Sequence, residues 1–235
     1  MTLLSAPVQR SARRTAHADG RIGPNAILQP YAELVATVGR AKADAMLHAS
    51  TGRSPDAMPE RMVDEQEANA FARAILGELG PLGQVVLHRA GHRTARYLLA
   101  NRIPKPAQVV IRLLPARAGL SVLLGAVGRH AWTFAGSGDF AYGLDPTPWV
   151  SVIRCPMCRG VHAKGPTCHF YAGTFEGLLQ ALIHRRAQVV ETHCEAMGED
   201  RCRFGLEVPA RRDYAPAGAA PLMRFSTIGA SRSAT

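Results

Sequence analysis

The five cysteines of this 235-residue chain, Cys155, Cys158, Cys168, Cys194 and Cys202, all fall within one 48-residue window, and the first 154 residues have none. This confinement restricts the fold more than any other feature. It predicts a C-terminal region that gathers thiols into one place. In a reducing compartment such thiols point to a metal rather than to disulfides. The chain reads as belonging to that compartment. Its first 30 residues carry Arg10, Arg13, Arg14 and Arg21 against Asp19, with no apolar secretory core behind them. Ala107 to Phe134 is the most apolar stretch, but Arg112, Arg117, Arg129 and His130 interrupt it. Its longest uncharged part, Ala118–Gly128, is 11 residues, too short to cross roughly 30 Å of hydrocarbon.

Two kinds of periodicity divide the rest. Residues 1–20 read as a flexible basic arm, and residues 213–235, rich in Ala, Gly, Ser and Pro, as a flexible tail. Between them, 21–130 reads as a helical region. Helices are predicted over Pro30–Ser50, Met62–Leu79, His92–Ala100 and Pro106–Gly128, the last interrupted at Pro115. In 131–212 strands are predicted over Ala131–Ala135 and Trp149–Arg154, joined by a connection over Gly136–Pro148. A helix over Phe170–Arg185 follows, then a hairpin of Gln188–Cys194 and Arg201–Val208. The expected fold class is α+β: a helical N-terminal half and a C-terminal antiparallel sheet with packed helices.

Thiolate, carboxylate and imidazole suit a borderline-soft ion such as zinc. The residues alone admit two solutions. Cys155-Pro156-Met157-Cys158 has the spacing of a zinc knuckle, which the hairpin pair Cys194 and Cys202 would complete. Alternatively, Cys168, Glu191, Cys194 and Cys202 form a mixed site, leaving Cys155 and Cys158 free or auxiliary.

The segment from Val190 to Phe204 (Val190-Glu191-Thr192-His193-Cys194-Glu195-Ala196-Met197-Gly198-Glu199-Asp200-Arg201-Cys202-Arg203-Phe204), with Phe170 to Leu179 before it, resembles the 4-vinyl reductase domain family. Arg21-Ile22-Gly23-Pro24-Asn25-Ala26-Ile27 and Arg102-Ile103-Pro104 extend the resemblance toward the branch that serves bacteriochlorophyll biosynthesis. In aromatic-sensing members, a cysteine, a glutamate and two further cysteines bind zinc. Carried over residue by residue, these are Cys168, Glu191, Cys194 and Cys202, with separations of 23, 3 and 8. The resemblance thus implies a structural Zn2+ with no open coordination position. It also implies a 4-vinyl reductase type of fold, a homodimer, and action at the 8-vinyl (old 4-vinyl) reduction of divinyl protochlorophyllide.

The family name implies a 4-vinyl protochlorophyllide reductase, yet no strand–GxGxxG–helix unit, flavin motif or P-loop is visible, and zinc carries no electrons. Two readings stay open: a reductase with an unrecognised cofactor site, and a carrier that presents an Mg-tetrapyrrole to a bacteriochlorophyll-pathway enzyme. Arg96, Arg102, Arg112, Arg129 and His130 are candidates for the rim of a tetrapyrrole pocket. His162, His169 and His193 are candidate ligands for the pigment's magnesium. From different classes come a small-molecule sensing module and a dimeric scaffold. The formal charge of +10 raises nucleic acid as a partner, but no recognition motif accompanies it. Arg10, Arg13, Arg14 and Arg21 supply part of that charge, and Arg211, Arg212, Arg224 and Arg232 another part. That placement predicts docking to a membrane surface or an acidic partner. The expected location is cytoplasmic, peripheral to the photosynthetic membrane.

Overall fold

Glycine and proline set the helix boundaries of the first half. In the computed structural model, which describes Gln9–Arg10 and residues 20–209, the pair Gln9–Arg10 forms a short strand, β1, and Arg21–Ile22 forms β2. Helix α1 (Asn25–Val38) and helix α2 (Arg40–Thr51) replace the single helix expected over Pro30–Ser50. Gly39 separates them at φ 84°, a conformation that side chains disfavour, and its N–H closes α1 on the Val35 carbonyl. Pro30 lies inside α1 rather than at its start.

Strand β3 (Val63–Asp64) pairs with β2. Asp64 then caps α3 (Glu65–Leu79), its carboxylate accepting the Gln66 N–H. Gly80 ends α3, and Pro81 opens α4 (Pro81–Asn101) at the position where its missing N–H does no harm. The expected helix His92–Ala100 is therefore only the last part of a 21-residue helix. Gly83, Gly91 and a run of His and Arg dilute the apolar stripe of α4, which hid its first half. Pro115 forces Leu114 into an extended conformation, dividing α5 (Lys105–Leu113) from α6 (Ala116–Arg129). The expected strand Ala131–Ala135 is instead a helical turn, α7 (Trp132–Ala135), in which the Ala135 N–H reaches the Ala131 carbonyl. A short apolar run does not distinguish strand from helix by its periodicity.

The second half supplies β4 (Asp139–Gly143), β5 (Trp149–Ile153), α8 (His169–Leu182), β6 (Gln188–His193) and β7 (Cys202–Glu207). Strand β4 lies inside what the sequence presents as a connection. The strands form one antiparallel sheet in the order β1-β4-β5-β7-β6. The expected α+β class holds. Apart from Gln9–Arg10 and Gly20, the basic arm at 1–20 lies outside the described residues, as does the tail at 213–235.

Helix α8 is the middle layer. On one side its Phe175 packs against Phe140 and Phe204 of the sheet, at ring separations of 6.2 and 5.6 Å. On the other side it crosses α4 almost backbone to backbone. A Cβ added at Gly173 would sit 2.0 Å from the His88 carbonyl oxygen, and one at Gly91 would sit 2.3 Å from that of Phe170. Glycine at both positions is what permits the crossing. It fixes the N-terminus of α8, where Cys168 lies, relative to both layers. Among the described residues no helix is long and apolar enough to cross a membrane.

Candidate metal centre

Four separate segments deliver the thiols. Arg154 adopts φ 55° at the end of β5 and turns the chain into Cys155-Pro156-Met157-Cys158. The buried Asn69 amide of α3 pins this turn by donating to the Pro156 carbonyl at 2.8 Å. Cys168 caps α8, and its carbonyl accepts the N–H groups of Tyr171 and Ala172. Cys202 opens β7 opposite Val152 of β5. Glu191 lies on β6 and Cys194 just past its end, three positions apart, a spacing that puts side chains on opposite faces of a regular strand. The register shifts between Glu191 and His193. This irregularity inserts an extra residue and lets both side chains turn inward.

The result is one buried cluster. All five cysteines are at most 1% exposed. Cys158 and Cys202 sulfurs lie 3.3 Å apart, Cys155 and Cys168 3.6 Å, Cys168 and Cys202 3.6 Å, and Cys194 and Cys202 3.9 Å. Two four-residue sets each have their ligand atoms mutually within 4.8 Å: Cys155, Cys158, Cys168 and Cys202, and Cys168, Glu191, Cys194 and Cys202. The all-cysteine set thus takes Cys168 in place of the Cys194 that the sequence reading joined to the knuckle. Zinc–sulfur bonds of about 2.3 Å in a tetrahedron place sulfurs about 3.8 Å apart, close to these separations.

The carboxylates complete the picture. Glu191 Oε2 accepts the Cys168 N–H at 2.9 Å, while its buried Oε1 has no partner. Burial, followed by the neighbouring Cys194, pushes the Glu191 carboxyl up to about 9. Burial also raises the Cys155 thiol. Glu195 Oε2 accepts the Cys155 N–H, and the Glu195 N–H points at Cys202 Sγ at 3.5 Å. An orphaned buried oxygen facing crowded thiols is a donor set suited to a thiophilic cation. The residues present therefore fit zinc.

Residues 149–208, containing all of these groups, match the family model of the 4-vinyl reductase domain. The chain is 40% identical to the bacteriochlorophyll synthase 23 kDa chain of Cereibacter sphaeroides, over 79% of this chain and 90% of that one. It is 33% identical to the protein of the same name from Rhodobacter capsulatus, over 83% and 91%. The chain belongs to the 4-vinyl reductase domain family. The membership agrees with the resemblance read from Phe170–Leu179 and Val190–Phe204. The fold also matches an H-NOX protein from S. oneidensis, with a TM-score of 0.52 at 14% identity, covering 79% of this chain and 98% of that one.

The other expected residues are dispersed. Arg96, Arg102, Arg112, Arg129 and His130 are exposed. Arg112 donates to the Ala181 carbonyl at the end of α8, and the His130 ring contacts the Ala126 carbonyl. They sit on different elements: Arg96 on α4, Arg102 just past its end, Arg112 on α5, Arg129 at the end of α6 and His130 next to it. A surface hollow of about 500 Å³ is lined by Arg21, Arg53, Arg61 and neighbours, and by none of the five. His162 and His193 are exposed, and burial lowers the pKa of His169. A constellation absent from the sequence reading joins His88 and His92 of α4 to Glu176 of α8. Glu176 Oε1 lies 3.1 Å from His92 Nε2 and 3.7 Å from His88 Nε2, while its Oε2 accepts the Val189 N–H. The i, i+4 histidine spacing would have shown it had α4 been recognised from Pro81.

Proposed function

We propose that this protein serves bacteriochlorophyll biosynthesis as a tetrapyrrole-binding accessory protein, acting at the 8-vinyl reduction of divinyl protochlorophyllide, with zinc at Cys168, Glu191, Cys194 and Cys202 as a structural tie. The observation that carries the pathway is the 40% identity over 90% of the bacteriochlorophyll synthase 23 kDa chain. The choice of carrier over reductase rests on chemistry. Four protein ligands close the zinc shell to a reacting water, and zinc transfers no electrons. The sequence contains no dinucleotide fingerprint.

Helix α5 offers the surface that suits a flat, apolar macrocycle bearing a carboxylate. Val109, Val110 and Leu113 are 51, 54 and 76% exposed, and Leu113 neighbours both valines on the helix surface, at i+4 from Val109 and i+3 from Val110. Arg102 and Lys105 lie exposed at the start of this helix. Purified protein incubated with divinyl protochlorophyllide should coelute with the pigment's absorbance. Val110→Ser combined with Leu113→Ser should weaken retention at least tenfold. Equal retention of unrelated apolar dyes by both proteins would sink the reading. Conversion of the vinyl group by the pure protein with NADPH would make it the reductase instead.

A further inference from the structure

A single zinc at the mixed site leaves Cys155 and Cys158 as buried free thiols, 3.6 and 3.3 Å from two of its ligands. A single zinc at the all-cysteine site leaves Cys194 idle and Glu191 Oε1 buried without a partner. Each one-ion solution strands part of the same closed cluster. The two sets share a single edge, the Cys168–Cys202 pair, whose sulfurs are 3.6 Å apart.

We propose that the centre holds two divalent thiophilic ions, bridged by the Cys168 and Cys202 thiolates. One ion has Cys155 and Cys158 as its terminal ligands, the other Glu191 and Cys194. This extends the zinc reading above and rests on it. A thiolate sulfur has lone pairs enough to bind two ions, and sharing an edge gives each ion four ligands. All five thiols and the orphaned Glu191 oxygen are then used, while the buried Glu195 Oε1, also without a partner, belongs to neither ligand set. Each thiol and the Glu191 carboxyl gives up its proton to solvent on binding, and no electron moves. Two dications against five thiolates and one carboxylate leave a charge of about −2, by the ordinary ligand charges. Donors already face that charge: the Glu195 N–H on Cys202 Sγ, and the Thr167 hydroxyl 3.5 Å from Cys194 Sγ.

The test is metal content and X-ray absorption on the full chain, purified under reductant and loaded with zinc alone. Two equivalents are expected, with a metal–metal scattering distance of roughly 3 Å, set by zinc–sulfur bonds of about 2.3 Å across the shared edge. Replacing Cys155 and Cys158 together with Ser should leave one equivalent and remove the metal–metal signal. Replacing His88 and His92 together with Ala should leave both equivalents in place, which separates this pair from the α4–α8 histidines. One equivalent in the unaltered protein, without metal–metal scattering, overturns the bridged pair while the single-zinc reading stands. No retained zinc overturns both. The absorption measurement needs no variant, so a misfolded variant does not decide the outcome.

Discussion

Glu65 and Glu191 are two largely buried carboxylates, and the protein treats them in opposite ways. Glu65 accepts the Ser137 N–H at 2.8 Å and the Ser137 hydroxyl at 2.6 Å, and it pairs with the Arg159 guanidinium. Both of its oxygens are satisfied by the chain itself. Glu191 has one backbone donor, a bare buried oxygen and a wall of thiols. The first site is a finished joint between α3, the turn after α7 and the cysteine loop. The second is the joint that the proposed zinc would complete. The difference teaches that burial of charge near the cysteines has two purposes, and only one of them calls for a ligand.

Breaking the finished joint should have the largest effect. Glu65→Ala leaves the Ser137 donors unpaired and should cost about 3 kcal/mol, the usual penalty for breaking a buried pair. Gly136 is held against Glu65 so closely that an added Cβ would sit 2.1 Å from Oε2, so little rearrangement can refill the space. Urea denaturation should show the same loss with and without a chelator. A loss that disappears under chelation would mean that Glu65 acts through the metal centre.

Removing zinc should come next. At zinc concentrations a hundredfold above Kd, the loaded protein gains about 2.7 kcal/mol over the metal-free one, and chelation should lower Tm accordingly. Glu191→Ala should shrink that chelator-dependent difference while changing metal-free stability by less than Glu65→Ala does. If the two substitutions behave alike in metal-free protein, the contrast between the sites fails.

Much of the candidate metal centre was legible because its ligands lie close in sequence. Cys194 and Cys202 flank a hairpin, Glu191 precedes them by three positions, and the cysteine confinement needs no structure to see. What was not legible depends on long-range contact. Nothing local marks Glu65 as the partner of Ser137, 72 positions away. The membership of Cys168 in both ligand sets follows from the α4–α8 crossing, which Gly91 and Gly173 permit. Gly91, with Gly83, also weakened the helical signal of α4 and hid His88 and His92. Gly138 just before β4, and Asp139 and Gly143 within it, read as turn residues, yet the sheet context makes Asp139–Gly143 a strand. Where local composition and tertiary packing disagree, as at α7 and β4, packing decides.

The smallest effect, counted per pH unit, is a slope with pH. In metal-free protein the Glu191 carboxyl sits near 9, against an ordinary value of 4.5, because burial penalises its charged form. Between those values the folded state holds a proton that the unfolded state has released. The contribution of Glu191 to stability therefore falls as pH rises through the window, by at most about 1.4 kcal/mol per pH unit for one proton, while the neighbouring Cys194 thiol, lowered to about 5, contributes with the opposite sign. Glu191→Gln, neutral at every pH, should remove this falling contribution. Zinc should reverse it, because the ion takes the place of protons on Glu191 and the thiols, and its binding strengthens as those protons become easier to remove. Thermal melts from about pH 6 to about pH 9, with zinc and with chelator, read all of these slopes in one series. A metal-free slope unchanged by Glu191→Gln would place the titrating proton on another group and remove Glu191 from its role as the unfinished half of the pair.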